Sequence, residues 1–418
     1  LLGFFKYTDF FLENFNLFSK LLNLDFNIPL PHIILPLGIS FFTFQQIAFL
    51  ADIHAKIKLN DMQEGKKQGI DFLDYTLFIS FFPQLIAGPI VHHKEMMPQF
   101  ASTLSSKATF LDWEKFAKGL VIFIIGLFKK IIIADTFAKH ANLGFDATLK
   151  GEVLNIAEAW ASSFSYTFQI YFDFSGYCDM AIGLGLFFGI VLPINFYSPY
   201  KALNIKTFWQ TWHITLGRFL KAYLYIPLGG NRLGKWLNLR NLFIVAFLSG
   251  IWHGAGWGFV IWGIMHGLAM VIHRAYSFYL EHLKSKGAKL EFLKSKIYII
   301  FSWFLTFNFV SLAWIFFRAE SLSSALSLLK SMFGLSFVEL PQKWWRTREL
   351  FAKLDGNNEF LYYLIISFIL CLAFKNSIQK IDNFKASFKM AIFIALLLFS
   401  ALLSMMTSTY TEFIYFNF

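Results

Sequence analysis

Phe247-Leu248-Ser249-Gly250-Ile251-Trp252-His253-Gly254-Ala255-Gly256-Trp257-Gly258 sets one imidazole between two apolar runs, residues 242–252 and 257–272. Glycines at positions 254, 256 and 258 mark a hinge between two helices, so His253 can point sideways at a backbone break. Upstream, Phe208-Trp209-Gln210-Thr211-Trp212-His213-Ile214-Thr215 carries a second buried-looking histidine, and Trp262-Gly263-Ile264-Met265-His266-Gly267 downstream a third. Ionisable side chains at membrane depth are costly, and they face a cavity or a bundle interior when they occur.

The composition sets the class. With 56% hydrophobic and 15% charged residues over 418 positions, and a mean hydropathy of +0.53, the chain cannot cover itself with a polar surface. It reads as an all-α, polytopic membrane protein. The formal charge of +11 suits loops that meet anionic lipid and a substrate that is itself anionic. Nucleic-acid binding is excluded as a reading, because the cations lie between hydrophobic spans and not on one soluble module. Two cysteines, Cys178 and Cys371, each inside an apolar run, make no disulfide framework. The chain opens at Leu1 inside an apolar stretch, and further spans are expected upstream of it.

In chain order, residues 1–28 read as the end of a span followed by an amphipathic interfacial piece. Residues 35–50 are too polar to face lipid all round. The run 72–91 is interrupted by Pro83, Gly88 and Pro89 and suggests a bent or re-entrant helix. Residues 118–138 form a span in which Lys129 and Lys130 snorkel from one end. Residues 152–171 and 176–193 read as two helices joined through Asp173 and Asp179, whose carboxylates need cationic partners from the basic region that follows. From Met180 to Leu280 there is no Asp or Glu, against the eight cations Lys201, Lys206, Arg218, Lys221, Arg232, Lys235, Arg240 and Arg274. Within that region Trp209, Trp212, His213, Leu216, Phe219 and Tyr223 recur at helical spacing and predict one half-buried amphipathic helix. The loops 274–296 and 375–389 carry six and four cations, so both are assigned to the cytoplasm, which places the C-terminus outside.

The order of signatures resembles the membrane-bound O-acyltransferase family, and within it the alginate O-acetylase branch with its peptidoglycan-acetylating members. The matching stretches are Leu35-Pro36-Leu37-Gly38-Ile39-Ser40-Phe41-Phe42-Thr43-Phe44-Gln45, Ile86-Ala87-Gly88-Pro89-Ile90-Val91, Phe172-Asp173-Phe174-Ser175-Gly176-Tyr177, Asn195-Phe196-Tyr197-Ser198-Pro199-Tyr200, residues 208–216, residues 223–232 and Trp252-His253-Gly254. Lys221-Ala222 departs from the pattern, which has a basic residue followed by Asp. The resemblance implies a single membrane domain over residues 1–418, with roughly ten membrane helices plus half-buried and re-entrant helices around a central tunnel. It implies acyl transfer from a cytoplasmic thioester, acetyl-coenzyme A or an acyl-carrier thioester, to a hydroxyl reached from outside. His253 matches the catalytic histidine and His213 the second active-site polar residue. The terminal Thr411-Glu412-Phe413-Ile414-Tyr415-Phe416-Asn417-Phe418, part of an exoplasmic aromatic tail at 407–418, resembles the tail of the accessory protein of teichoic-acid D-alanylation. By that likeness Tyr415 is expected to relay the acyl group.

Thioester transfer needs a base for the attacking hydroxyl and donors to the developing oxyanion. An imidazole, with an unperturbed pKa of ~6.5, suits the first task. His253 is therefore expected as the base, with His213 or a ring N–H of Trp212 or Trp252 holding the carbonyl. An isolated buried histidine is ordinarily a packing residue, but three flanked by Trp or Gly inside matched motifs point to chemistry. Trp209, Trp212, Trp252 and His266 are expected to line the tunnel, His266 orienting a neighbour. Lys201, Lys206, Arg218, Lys221, Arg232, Lys235 and Arg240 are candidates for the donor's phosphates, which need cations at the cytoplasmic mouth. No metal is expected, since paired helical histidines with a nearby Cys or carboxylate are missing, and no bound cofactor is expected. The implied partners are membrane lipids, a polysaccharide acceptor and a periplasmic SGNH-hydrolase-like O-acetyltransferase, in a bacterial inner membrane. Peptidoglycan is the favoured acceptor, because a bare aromatic tail suits hand-off to a separate transferase. Alginate or another exopolysaccharide, and D-alanyl transfer to teichoic acid, are the alternatives within the same chemistry. A proton-coupled transporter or flippase is the non-enzymatic one.

Overall fold

The structure, a computed structural model, describes residues 2–24, 26–60, 71–85, 88–105 and 112–407. Within them the chain is helical. The β-type pairing they contain is one isolated antiparallel bridge, Phe196 to Trp212. In order the α-helices are α1 (Leu2–Leu21), α2 (Ile39–Asn60), α3 (Phe72–Ser80), α4 (His93–Ser105), α5 (Trp113–Phe128), α6 (Asp135–Leu149), α7 (Ile156–Phe187), α8 (Ile205–Thr211) and α9 (Ile214–Leu220). They continue as α10 (Lys235–His253), α11 (Trp257–Ser285), α12 (Lys296–Arg318), α13 (Leu322–Met332), α14 (Thr347–Leu350), α15 (Asn358–Ala373), α16 (Ser377–Asp382) and α17 (Phe388–Thr407). Three of the described helices, α11, α12 and α17, are long and apolar enough to cross a membrane; α15 is a shorter apolar helix.

The centre of the bundle is α7, one helix of 32 residues where the sequence predicts two. A reciprocal cap starts it: Glu158 N donates to Asn155 Oδ1 and Asn155 N donates to Glu158 Oε2, both at 3.0 Å. The helix runs through Ser175-Gly176 because both of its acids are neutralised where they stand. Lys129 Nζ lies 2.6 Å from Asp179, and Lys130 Nζ lies 2.9 Å from Asp173 and 2.6 Å from Asp135. The partners are thus Lys129 and Lys130, not the later basic region, and both turn inward instead of snorkelling. They sit in a π-helical segment, Lys129–Ala134, between α5 and α6. Close approach of α5 and α7 makes this possible, since a Cβ on Gly126 would lie 2.5 Å from the Gly176 carbonyl oxygen.

α10 and α11 form an antiparallel hairpin whose backbones touch. A Cβ on Gly250 would lie 2.6 Å from Gly263 Cα and 2.6 Å from the Phe259 carbonyl oxygen, neither of which is a flexible side-chain end. Gly250→Ala is therefore expected to destabilise the protein by about 1–3 kcal/mol through overpacking. Gly256→Ala should be tolerated, because its Cβ would meet only Phe259 Cδ2 at 3.7 Å. Thermal unfolding of the two purified variants checks this, and equal midpoints would contradict the close packing.

Candidate active site

His253 is the last residue of α10. Gly254 and Gly256 are extended, at φ −166° and −170°, so the chain leaves the helix, turns through residues 254–256 and re-enters as α11. The orphaned carbonyls of a helix end need donors. α1 supplies them: Lys6 Nζ donates to the Trp252 carbonyl oxygen at 2.6 Å and Tyr7 Oη to that of Ile251 at 2.7 Å. The His253 ring is buried, 5% exposed, and packs edge-on against Trp252 at 4.8 Å, Trp262 at 5.3 Å and Phe317 at 5.1 Å between centroids. Its electrostatic neighbours include His213, Lys6 and His266, so the three predicted histidines do converge.

His213 breaks the helix expected over 209–223. Its backbone is left-handed, φ 46° and ψ 53°, and it separates α8 from α9. The antiparallel strand-like pairing explains the break: Tyr197 N donates to the Thr211 carbonyl at 2.9 Å and Ile214 N to that of Asn195 at 3.0 Å, which pulls residues 212–213 out of helical geometry. The side chain of Asn195 then meets His213 Nδ1 at 3.2 Å. Its orientation is fixed, because Oδ1 accepts from the backbone N–H of Thr215 at 3.1 Å, which can only donate. Thr215 Oγ1 accepts from Ile90 N at 3.0 Å and so gives its own proton to the same Oδ1, at 2.8 Å. His213 Nδ1 must therefore carry the hydrogen, and the buried Nε2, with no partner among the described residues, holds a lone pair.

Two cavities approach His253 from opposite ends of α11. One, of about 450 Å³, is lined by Lys206, Trp209, Arg218, Lys221, Ser249, Trp262 and His266, among others. A smaller one of about 250 Å³ shares Lys206, Tyr225, Leu242 and Met270 with it and adds His273 and Arg274. The other end holds a cavity of about 780 Å³ lined by Glu13 and Asn14 of α1, residues 255–259, and Phe317, Arg318 and Ser321. Trp262 borders the cationic cavity and Phe317 the opposite one, and His253 touches both rings.

Of the seven cations proposed from sequence, Lys206, Arg218 and Lys221 line the cationic cavity, Arg218 in an ion pair with Glu95 of α4. The other four have different surroundings. Lys201 donates to the Phe374 carbonyl at 2.7 Å, Lys235 lies over the Phe278 ring, Arg240 donates to Asn241 Oδ1 at 3.0 Å, and Arg232 is exposed. Trp209 and His266 meet the expectation of cavity-lining residues. Trp212 instead packs in the core against Trp314 at 5.1 Å, while Trp252 stacks on Phe44 at 4.8 Å. Tyr415, with residues 408–418, lies outside the described residues. Among the described residues no group of three or more His, Cys, Asp or Glu could hold a metal. Sequence reasoning missed Asn195, Lys6, Tyr7 and Glu95. Of these only Asn195 had a signal, standing first in a quoted motif.

Residues 21–316 match the profile of the MBOAT, membrane-bound O-acyltransferase family. A peptidoglycan O-acetyltransferase of Helicobacter pylori is 47% identical over 445 residues, covering 100% of this chain and 80% of that protein. A probable alginate O-acetylase AlgI of Pseudomonas aeruginosa is 36% identical over 375 residues, 90% of this chain and 65% of that protein. A teichoic acid D-alanyltransferase of Bacillus subtilis is 26% identical over 294 residues, 68% of this chain and 69% of its own length.

Proposed function

Because the chain belongs to the membrane-bound O-acyltransferase family and is an acyltransferase, we propose that it takes acetyl from acetyl-coenzyme A at the cytoplasmic face and delivers it outward for O-acetylation of peptidoglycan. The observation that carries this reading is the place of His253, whose ring touches one wall of a cation-lined cavity and one wall of a cavity at the opposite end of the bundle. The cationic cavity shares its end with Arg274 and the positively charged loop that follows, the side assigned to the cytoplasm. Lys206, Arg218 and Lys221 there hold the phosphates of the donor. Its acetyl thioester extends along Trp209 to the level of Trp262.

The acceptor hydroxyl arrives from the other cavity and attacks the thioester carbonyl carbon. His253 takes the hydroxyl proton as the C–O bond forms, and His213, presenting a lone pair at Nε2, orients the hydroxyl. Collapse of the tetrahedral intermediate breaks the C–S bond, and the proton on His253 goes to the departing thiolate. No net redox change occurs. The acceptor is Tyr415 of the 407–418 tail, which then passes the acetyl to a periplasmic SGNH-hydrolase-like transferase acting on the wall. The membrane is the bacterial inner membrane, the C-terminus is periplasmic, and roughly ten helices cross it in the whole membrane domain. Peptidoglycan is preferred over alginate and teichoic acid because of the 47% identical relative.

Purified full chain incubated with acetyl-labelled acetyl-coenzyme A should release coenzyme A and acquire label, and Tyr415→Phe should remove the label while thioester hydrolysis continues. A wild type that does neither sinks the donor assignment. Label that persists in Tyr415→Phe sinks the relay alone.

A further inference from the structure

Trp262 and His266 stand one helical turn apart on α11, at positions i and i+4, where side chains share a face. Their ring centroids are 4.5 Å apart, both residues line the cationic cavity, and they are 1% and 0% exposed. Trp262 Nε1 and His266 Nε2 are both buried with no hydrogen-bond partner among the described residues. Buried polar groups are ordinarily paired, and two adjacent exceptions in a cavity wall need an explanation.

The His266 tautomer supplies it. Trp209 Nε1 lies 3.2 Å from His266 Nδ1. An indole N–H only donates, so Nδ1 must accept, and in the neutral ring the hydrogen is on Nε2. His266 is thus locked in the tautomer opposite to His213, whose Nδ1 donates to Asn195. His213 Nε2 cannot donate to a carbonyl oxygen; His266 Nε2 can. We propose that Trp262 Nε1–H and His266 Nε2–H form the oxyanion hole that receives the thioester carbonyl oxygen, with Trp209 as the positioning residue that sets the His266 tautomer. This assignment rests on the acyl-transfer reading given above and names its electrophilic half. Charge that develops on the carbonyl oxygen as the hydroxyl adds meets two preset donors in a water-poor wall. When the C–S bond breaks the carbonyl re-forms and the donors release it, with no proton leaving either ring.

The test is made on the full chain in detergent with acetyl-coenzyme A. Removing one oxyanion donor typically lowers kcat by ~10²–10³. Trp262→Phe and His266→Phe should each show that loss with the KM for acetyl-coenzyme A within ~3-fold of wild type, and His266→Gln, which keeps an N–H near the same place, should recover most of it. A His266→Phe enzyme with kcat within ~3-fold of wild type, or one whose loss lies in KM, overturns the assignment. A second measurement needs no active variant: long-range 15N–1H spectra of histidine-labelled protein should show Nδ1 of His266 as the unprotonated nitrogen, and Trp209→Phe should release it into a tautomer mixture. An unprotonated Nε2 in the wild type overturns the proposal whatever the kinetics. Correct tautomers beside a His253→Gln variant that still transfers acetyl would instead sink the base assignment and leave the donors standing.

Discussion

His253→Ala is expected to lower acetyl transfer by ~10²–10⁴-fold, the usual contribution of a positioned general base, while the KM for acetyl-coenzyme A changes little. The split follows from the geometry. Lys206, Arg218 and Lys221, proposed to bind the donor, come from α8, α9 and the turn after α9. None belongs to the α10 end that carries His253. The variant should also fold, because the capping of α10 by Lys6 and Tyr7 uses the backbone carbonyls of residues 252 and 251 and not the imidazole. His253→Gln, closer in volume, guards against a cavity effect in the aromatic cluster. Transfer within ~3-fold of wild type in both variants would remove His253 from the reaction, and a loss confined to KM would make it a binding residue.

The hinge at His253 was legible because glycine is a local signal: three of them within five residues stop a helix whatever surrounds them, and both apolar runs are long enough to be seen. The convergence of His253, His213 and His266 was legible only as three separate suspicions. What joins them is nonlocal. The break at His213 comes from pairing with residues 195–197, and nothing in Trp212-His213-Ile214 marks a left-handed residue, since His is neither Gly nor Asn. Lys6 and Tyr7 cap a helix end some 245 positions away, and no periodicity in α1 reveals which carbonyls will be orphaned. Cations were read by sign and count, which picks out the basic face, but hydrogen-bond and ion-pair partners then divide them: Arg218 lines the cavity paired with Glu95, whereas Lys201 and Arg240 point to a carbonyl and an amide. Asp173 and Asp179 were correctly read as needing partners. The wrong cations were chosen because a regular helix would carry adjacent Lys129 and Lys130 about 100° apart, whereas the π-helical segment Lys129–Ala134 lets both reach α7.

Lys130→Met is expected to prevent accumulation of folded protein. Lys130 Nζ is shared by Asp135 and Asp173, and the three side chains are 13%, 9% and 1% exposed. Removing one partner of a buried pair costs on the order of 3–5 kcal/mol, because the remaining charge keeps its desolvation penalty and loses its compensation. Here one substitution takes the cation from two carboxylates at once, in a fold whose total stability is on the order of 5–15 kcal/mol. Local repacking offers little relief. Gly126 and Gly176 hold the backbones of α5 and α7 together directly beside the pair, so neither acid can swing toward water without parting the helices. The companion variant decides between charge and shape. Lys130→Met combined with Asp135→Asn and Asp173→Asn removes the charges together, and replacing a whole buried ionic group is often near neutral. The triple variant should therefore recover most of the yield and thermal midpoint that the single variant loses. Equal losses in both would assign Lys130 to packing, and a single variant as stable as wild type would show that the two carboxylates do not need it.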